Sequence, residues 1–221
     1  MASDAQRGAP RPRLYLSTPP QFDPADFAGT LEQALSAGDV ACLRLRLADA
    51  GEEALLRAAK ALKPVCHRHD VALLVSDYFR MVKPAGLDGV HFEGGHNAQK
   101  EAREALGPDA VIGVSCGASR DRGLAAGERG ADYVSFGPVA VDQGLRVGDT
   151  AERDLFVWWQ EMIELPVVAE GGMSPELAES LCGAVDFIAV RRSVCEHPDG
   201  PGAGVAAYQA AIDRGMARLG R

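Results

Sequence analysis

The stretch PVVAEGGMSPELAESLCGAVDFIAVRR, residues 166–192, contains one strand–helix–strand unit. An apolar run ends in Gly171-Gly172, and Ser174 with Pro175 then supplies an N-cap and a first helical residue. The helical segment SPELAESLCGA follows, and a second apolar run, DFIAVRR, closes the unit. Strand-like runs alternating with helical periodicity point to a parallel sheet.

The same alternation extends back toward the N-terminus. Strand-like runs stand at LYLST (14–18), CLRLRL (42–47), VALLVSD (71–77) and GVHFE (89–93). VIGVSC (111–116) and DYVSFGPV (132–139) complete a set of eight with the two runs above. Segments such as DPADFAGTLEQALSAG and GEEALLRAAKALKPVCHRH carry helical spacing between them, with Asp23 before Pro24 as another N-cap signal. Gly38, Gly86, Gly107 and Gly130 stand where helix-ending glycines are expected. Eight such pairs close into a (β/α)8 TIM barrel, whereas an open doubly wound sheet usually has five or six strands. With 221 residues the chain fits one lean barrel, against roughly 250 residues for a typical one. The expected organisation is a disordered N-terminal tail over 1–12 and a single barrel domain over 13–221.

A net charge of −8 argues against nucleic acid or an anionic membrane as the main partner. It leaves room for a phosphorylated small molecule at a local basic site. Five cysteines without a CxxC pair read as reduced thiols of a cytoplasmic protein. There is no apolar signal core and no run of membrane-spanning length. Association into a homo-oligomer is left open.

In a barrel of this kind, chemistry belongs at the C-terminal ends of the strands. Gly171 and Gly172 end the seventh run, and Arg191, Arg192 and Ser193 end the eighth. Loops after the last two strands form the recurrent phosphate site of such barrels, where glycine lets backbone N–H groups approach the oxygens. A tight turn and a solvated strand end are the plainer alternative, and a one-residue register error exchanges Arg191 and Arg192. Arg44 and Arg46, two residues apart on the second run, share a face and suit an anion such as pyrophosphate. Asp77 either holds Mg²⁺ against a phosphate or caps the segment that starts at Tyr78. Ser115 offers a hydroxyl to a phosphate or begins a loop. Gly137-Pro138 leads into a long connection, VAVDQGLRVGDT, suited to cover the mouth. His91 and His96 are weaker candidates, and Cys66, His67 and His69 lie at a helix end away from the mouth.

In order, LYLST, CLRLR, VSDY, DGVHFEGG, IGVS, ADYVSFGPV, VVAEGG and FIAVRRSV resemble the thiamine-phosphate synthase family, which also includes thiazole tautomerases. The resemblance runs from about Leu14 to Val194 and implies a (β/α)8 barrel. It implies a transferase that joins a hydroxymethylpyrimidine pyrophosphate to a thiazole phosphate with Mg²⁺, releasing pyrophosphate through a dissociative substitution. It would place Arg44 and Arg46 at the pyrophosphate and Asp77 at the Mg²⁺. Ser115, Gly171 and Gly172 would lie at the thiazole phosphate, with Arg192-Ser193 in the stretch where the family has a serine.

Departures accompany the match. Cys42 replaces a family Gln, and Ser76-Asp77-Tyr78 replaces Asn-Asp-Arg, leaving Ser76 as the substrate-facing group. The second acidic Mg²⁺ position falls on His96 or Gly95. The family's Thr-x-Thr-Lys reads Val141 to Arg146, with only Arg146 to stand for the lysine. Cys116-Gly117 stands where a tautomerase histidine would be. Two other readings follow: a non-catalytic, phosphate-ligand-binding barrel that has lost the Mg²⁺–pyrophosphate half-site, and an isomerase or aldolase on another phosphorylated metabolite. No lysine ends a strand in a position suited to Schiff-base formation, which lowers the last.

Overall fold

A computed structural model describes residues 10–47, 51–94, 98–140 and 150–220. Eight parallel strands close into a barrel in chain order. They are β1 (Arg13–Ser17), β2 (Val40–Leu45), β3 (Ala72–Ser76), β4 (Gly89–Phe92), β5 (Val111–Ser115), β6 (Tyr133–Phe136), β7 (Val167–Ala169) and β8 (Phe187–Val190). Pairing is continuous around the ring, from Tyr15 beside Cys42 to Leu16 beside Val190, with one shift of register between Leu14 and Tyr15 of β1. Each strand lies within or beside the apolar run expected for it.

The outer helices are α1 (Pro24–Leu35), α2 (Glu52–Arg68), α3 (Val82–Ala85), α4 (Gln99–Leu106), α5 (Arg120–Glu128), α6 (Arg153–Met162), α7 (Pro175–Ser180), α8 (Arg192–Cys195) and α9 (Pro201–Arg218). A 3₁₀ turn at Phe79–Met81 precedes the short α3. Asp23 caps α1 by accepting from the N–H groups of Ala25 and Asp26, and Ser174 caps α7 by accepting from Leu177. Each such cap is worth about 1 kcal/mol.

Side chains of a strand alternate between the barrel interior and the helix layer. Leu43, Leu45, Leu73, Val75, Ile112, Val114, Val134 and Ile188 belong to the large core between sheet and helices. Burying one such side chain contributes about 1.5–3 kcal/mol. The inward set starts with a small cluster of Tyr15, Cys42, Leu74, Tyr133, Val168 and Ala189. A Cβ on Gly113 would fall 2.0 Å from Cζ of Tyr133, so a glycine there makes room for that ring. One step further along each strand the inward residues turn polar: Ser17, Arg44, Ser76, Ser115, Ser135, Glu170 and Arg191.

The opposite end is stitched by a repeated device. Asp88, Asp132 and Asp186 stand just before β4, β6 and β8, and each accepts the N–H of a residue on the preceding strand: Leu73, Ile112 and Val167, at 2.7–2.8 Å. Hydrogen bonds to charged groups contribute about 1.5–3 kcal/mol. This end serves stability, and the polar layer at the other end forms the site. Pro12 is buried and Arg11 pairs with Asp213 of α9 at 2.7 Å, while residues 1–9 of the expected tail lie outside the described residues.

Candidate active site

A cavity of about 740 Å³ opens over the C-terminal ends of the strands. Its lining includes Arg44, Arg46, Ser115, Gly137, Gly171, Gly172, Arg191, Arg192 and Ser193, all marked from the sequence. Glu93, Glu170 and Glu196 line it as well, and these acids change its electrostatics.

On the β2 side the two arginines share a face, as their spacing requires, and that face lines the cavity. Arg44, 7% exposed, places Nη2 3.1 Å from Oε2 of Glu170. Its guanidinium carbon lies 5.6 Å from the Tyr15 ring centre, and its Nε is buried without a hydrogen-bond partner among the described residues. Arg46, 42% exposed, pairs with Glu93 at 2.9 Å. Oε1 of Glu93 accepts from Ser76 Oγ at 2.7 Å. Asp77 follows with a φ of 60°, a left-handed conformation uncommon outside glycine. Its Oδ1 accepts the Glu93 N–H at 3.0 Å, so the side chain ties β3 to β4. Tyr78, which precedes the 3₁₀ turn, receives no side-chain cap.

Glu170 directly follows β7. Its Oε1 accepts from Ser115 at 3.0 Å and from Ser135 at 2.6 Å, and its Oε2 accepts from Arg44. Burial pushes this carboxyl up, but Arg44 foremost, and the two hydroxyls, outweigh it and bring it down to about 2. It is an anion at any working pH.

The β7–β8 side is built differently. Gly171 and Gly172 have φ of 84° and 71°, and a Cβ on Gly172 would lie 2.3 Å from the carbonyl oxygen of Ala140. Only glycine fits that approach. Arg191 has the inward parity of Ala189. Burial, then the neighbouring guanidiniums of Arg46, Arg192 and Arg44, pull it below its ordinary value. An anion placed among these cations would relieve that repulsion. Arg192 is exposed and pairs with Glu196 one helical turn on, at 3.1 Å. Ser193 Oγ is fixed 2.8 Å from the Tyr208 hydroxyl, which also lies 2.8 Å from the Met173 carbonyl.

Beneath the cavity His91 is 1% exposed. Its Nδ1 lies 2.9 Å from the Tyr133 hydroxyl, which lies 2.8 Å from that of Tyr15. Burial foremost, then Arg44, holds His91 down to about 3, so it is neutral and structural. His69 bonds Glu32, and His67 lies 3.8 Å from Asp88, away from the mouth. Among the described residues no group of three metal-ligating side chains occurs. Arg146, His96 and Gly95 lie outside the described residues.

Sequence reasoning missed Glu93, Glu170 and Ser135. The signal was present for the acids: both end an apolar run at the C-terminal side of a strand, where barrel chemistry is expected.

The family model described as thiamine monophosphate synthase matches residues 14–194. A thiamine-phosphate synthase of Rhodospirillum centenum is 47% identical over 197 residues, covering 89% of this chain and 95% of the relative. One from Hyphomonas neptunium is 40% identical over 222 residues, covering 96% and 98%. Among solved structures, thiamine phosphate pyrophosphorylase of Pyrococcus furiosus superposes with a TM-score of 0.79 at 22% identity, covering 93% of this chain and 98% of that one. At that identity the structural likeness carries the fold alone.

Proposed function

The chain belongs to the thiamine monophosphate synthase family and is a transferase of thiamine biosynthesis, and from that premise we propose how its mouth divides the work. The reaction joins a hydroxymethylpyrimidine pyrophosphate to a thiazole phosphate and releases pyrophosphate. The family match from β1 to the start of α8 is the observation that carries this reading.

Gly171, Gly172, Arg191, Arg192 and Ser193 receive the thiazole phosphate. The mutual repulsion of the arginines and the glycine-only backbone support that role. Arg46, with Arg146, receives the pyrophosphate. The Arg46–Glu93 pair is partly exposed, so Arg46 can exchange Glu93 for phosphate oxygens at little cost. Arg44 keeps its guanidinium on Glu170 and holds that carboxylate in place. Ser76 holds Glu93 in place, and Gly137 lets the end of β6 approach Glu170, whose carbonyl oxygen a Cβ there would meet at 2.1 Å.

Asp77 fits a Mg²⁺ that is shared with substrate. Oδ1 accepts the Glu93 N–H and the side chain is exposed, next to Glu93 of the cavity lining rather than in that lining itself. Mg²⁺ commonly takes one or two carboxylates and completes its shell with phosphates and water. When bound, it neutralises charge on the departing pyrophosphate. The five cysteines are free and four are buried, which supports a reducing, cytoplasmic setting.

The methylene C–O bond breaks with its electron pair on pyrophosphate. The thiazole nitrogen then gives its lone pair to the resulting pyrimidine cation. Cations at the leaving group lower the barrier because negative charge grows there. Incubation with both precursors and Mg²⁺ is expected to yield thiamine phosphate and pyrophosphate by mass spectrometry. No product, beside an active relative run in parallel, contradicts the reading.

A further inference from the structure

Glu170 lines the cavity, with its carboxylate meeting Arg44 of β2, Ser115 of β5 and Ser135 of β6, and the division of labour above gives it no substrate. An ionised carboxylate has about four acceptor positions and no donor. Ser115 and Ser135 fill Oε1, and among the described residues Arg44 alone reaches Oε2. One acceptor position is left, on a side chain that is 18% exposed and lines the cavity. The hydroxyls nearest to it are already spent as donors. The floor therefore accepts N–H and repels phosphate, in contrast to the arginine-rich wall beside it. A ligand that satisfies both surfaces carries phosphate at one end and an N–H-bearing or cationic group at the other.

Resting on the synthase reading, we propose that Glu170 is the group that recognises and activates the pyrimidine. Its free acceptor position takes an N–H of the ring's exocyclic amino group, and its charge faces the positive charge that develops on the ring. As the C–O bond breaks, the electron pair leaves on pyrophosphate and the ring becomes a cation whose charge spreads onto the amino nitrogen. Glu170 stabilises that state more than the neutral ring and gives or takes no proton. The thiazole lone pair then discharges the cation as the new C–N bond forms. Preorganised charge of this kind acts most strongly in a site shielded from water.

The test is Glu170→Gln, which keeps the shape and the neutral hydrogen bonds and removes the charge. With the natural pyrimidine, kcat is expected to fall about 100-fold while the KM for thiazole phosphate stays within about threefold. A structural role would slow every substrate alike, so the deciding readout is a pair of pyrimidines, one with the amino group and one with hydrogen in its place. The preference for the amino compound is expected to drop at least about tenfold in the variant, because the acceptor that rewards the amino group is weakened. An unchanged preference overturns the assignment. As a measurement independent of the variant's folding, calorimetry on the wild-type protein should show the free aminopyrimidine binding more tightly than the compound lacking the amino group, and equal binding overturns it. A wild-type enzyme that makes no thiamine phosphate would remove the synthase reading itself, and this assignment with it. Product formation with an unchanged preference would remove only the role of Glu170.

Discussion

The two sides of the barrel mouth handle charge in opposite ways. The β7–β8 side is made of backbone that only glycine permits, with an Arg191 that burial, and then the guanidiniums of Arg46, Arg192 and Arg44, pull below its ordinary value. Among the described residues only its exposed neighbour Arg192 has a carboxylate partner there, Glu196. The β2–β4 side is made of side chains already matched, Arg44 to Glu170 and Arg46 to Glu93. The first side is prepared for an anion and gains by receiving one. On the second, Arg46 must trade Glu93 for its ligand, while Arg44 stays on Glu170. A net count of basic residues therefore says little about where phosphate binds, because the pairing decides which cation is available.

The sharpest way to break the contrast is to place a methyl group on each side. Gly172→Ala puts a Cβ 2.3 Å from the Ala140 carbonyl oxygen at a φ of 71°, so backbone must shift at the phosphate end. Activity is expected to fall by about 100-fold or more, with a stability loss of about 1–3 kcal/mol. Gly94→Ala, on the β4 side, meets nothing within 4 Å among the described residues and should change activity by less than about twofold. Equal effects at the two glycines would show that the sides do not differ as described. Steady-state assays with thermal melts on both variants decide it.

A smaller effect separates the buried floor from the exposed rim. His91 is held down to about 3 from 6.5, so it stays neutral when folded, while the unfolded chain takes up its proton below about 6.5. Stability from this source is full above pH 6.5 and is lost as pH falls, by about 2 kcal/mol at pH 5. That corresponds to roughly 4–8 °C in Tm for a chain of this size. Glu170 acts lower, its contribution present above about 4.5 and lost as pH approaches 2. Tyr133, Arg44, Arg46 and Glu170 are the charged or titratable groups that act on His91. Melting curves from pH 7.5 to 5 should slope downward, and His91→Gln should flatten them. An unchanged slope would place the titrating group elsewhere.

The barrel was legible because each strand run is short, apolar and bounded by cap or turn residues, as at Asp23-Pro24 and Ser174-Pro175. The glycines and arginines of the site were legible for a related reason, since they stand at run ends where the fold requires chemistry. The pairing of charges was not. Arg44 and Glu170 are 126 positions apart, and Arg46 and Glu93 are 47 apart. Which strand ends meet across a closed barrel depends on tilt and stagger, which local pattern does not encode. Arg191 and Arg192 show the same limit. Parity assigns one inward, but only the register with β1 says which.

The division of the mouth is tested most directly by steady-state kinetics on Arg191→Ala and Arg46→Ala, varying each substrate in turn. Arg191→Ala should raise the KM for thiazole phosphate about tenfold or more and leave that for the pyrimidine pyrophosphate nearly unchanged, and Arg46→Ala should do the reverse. Both variants raising the same KM would contradict the account.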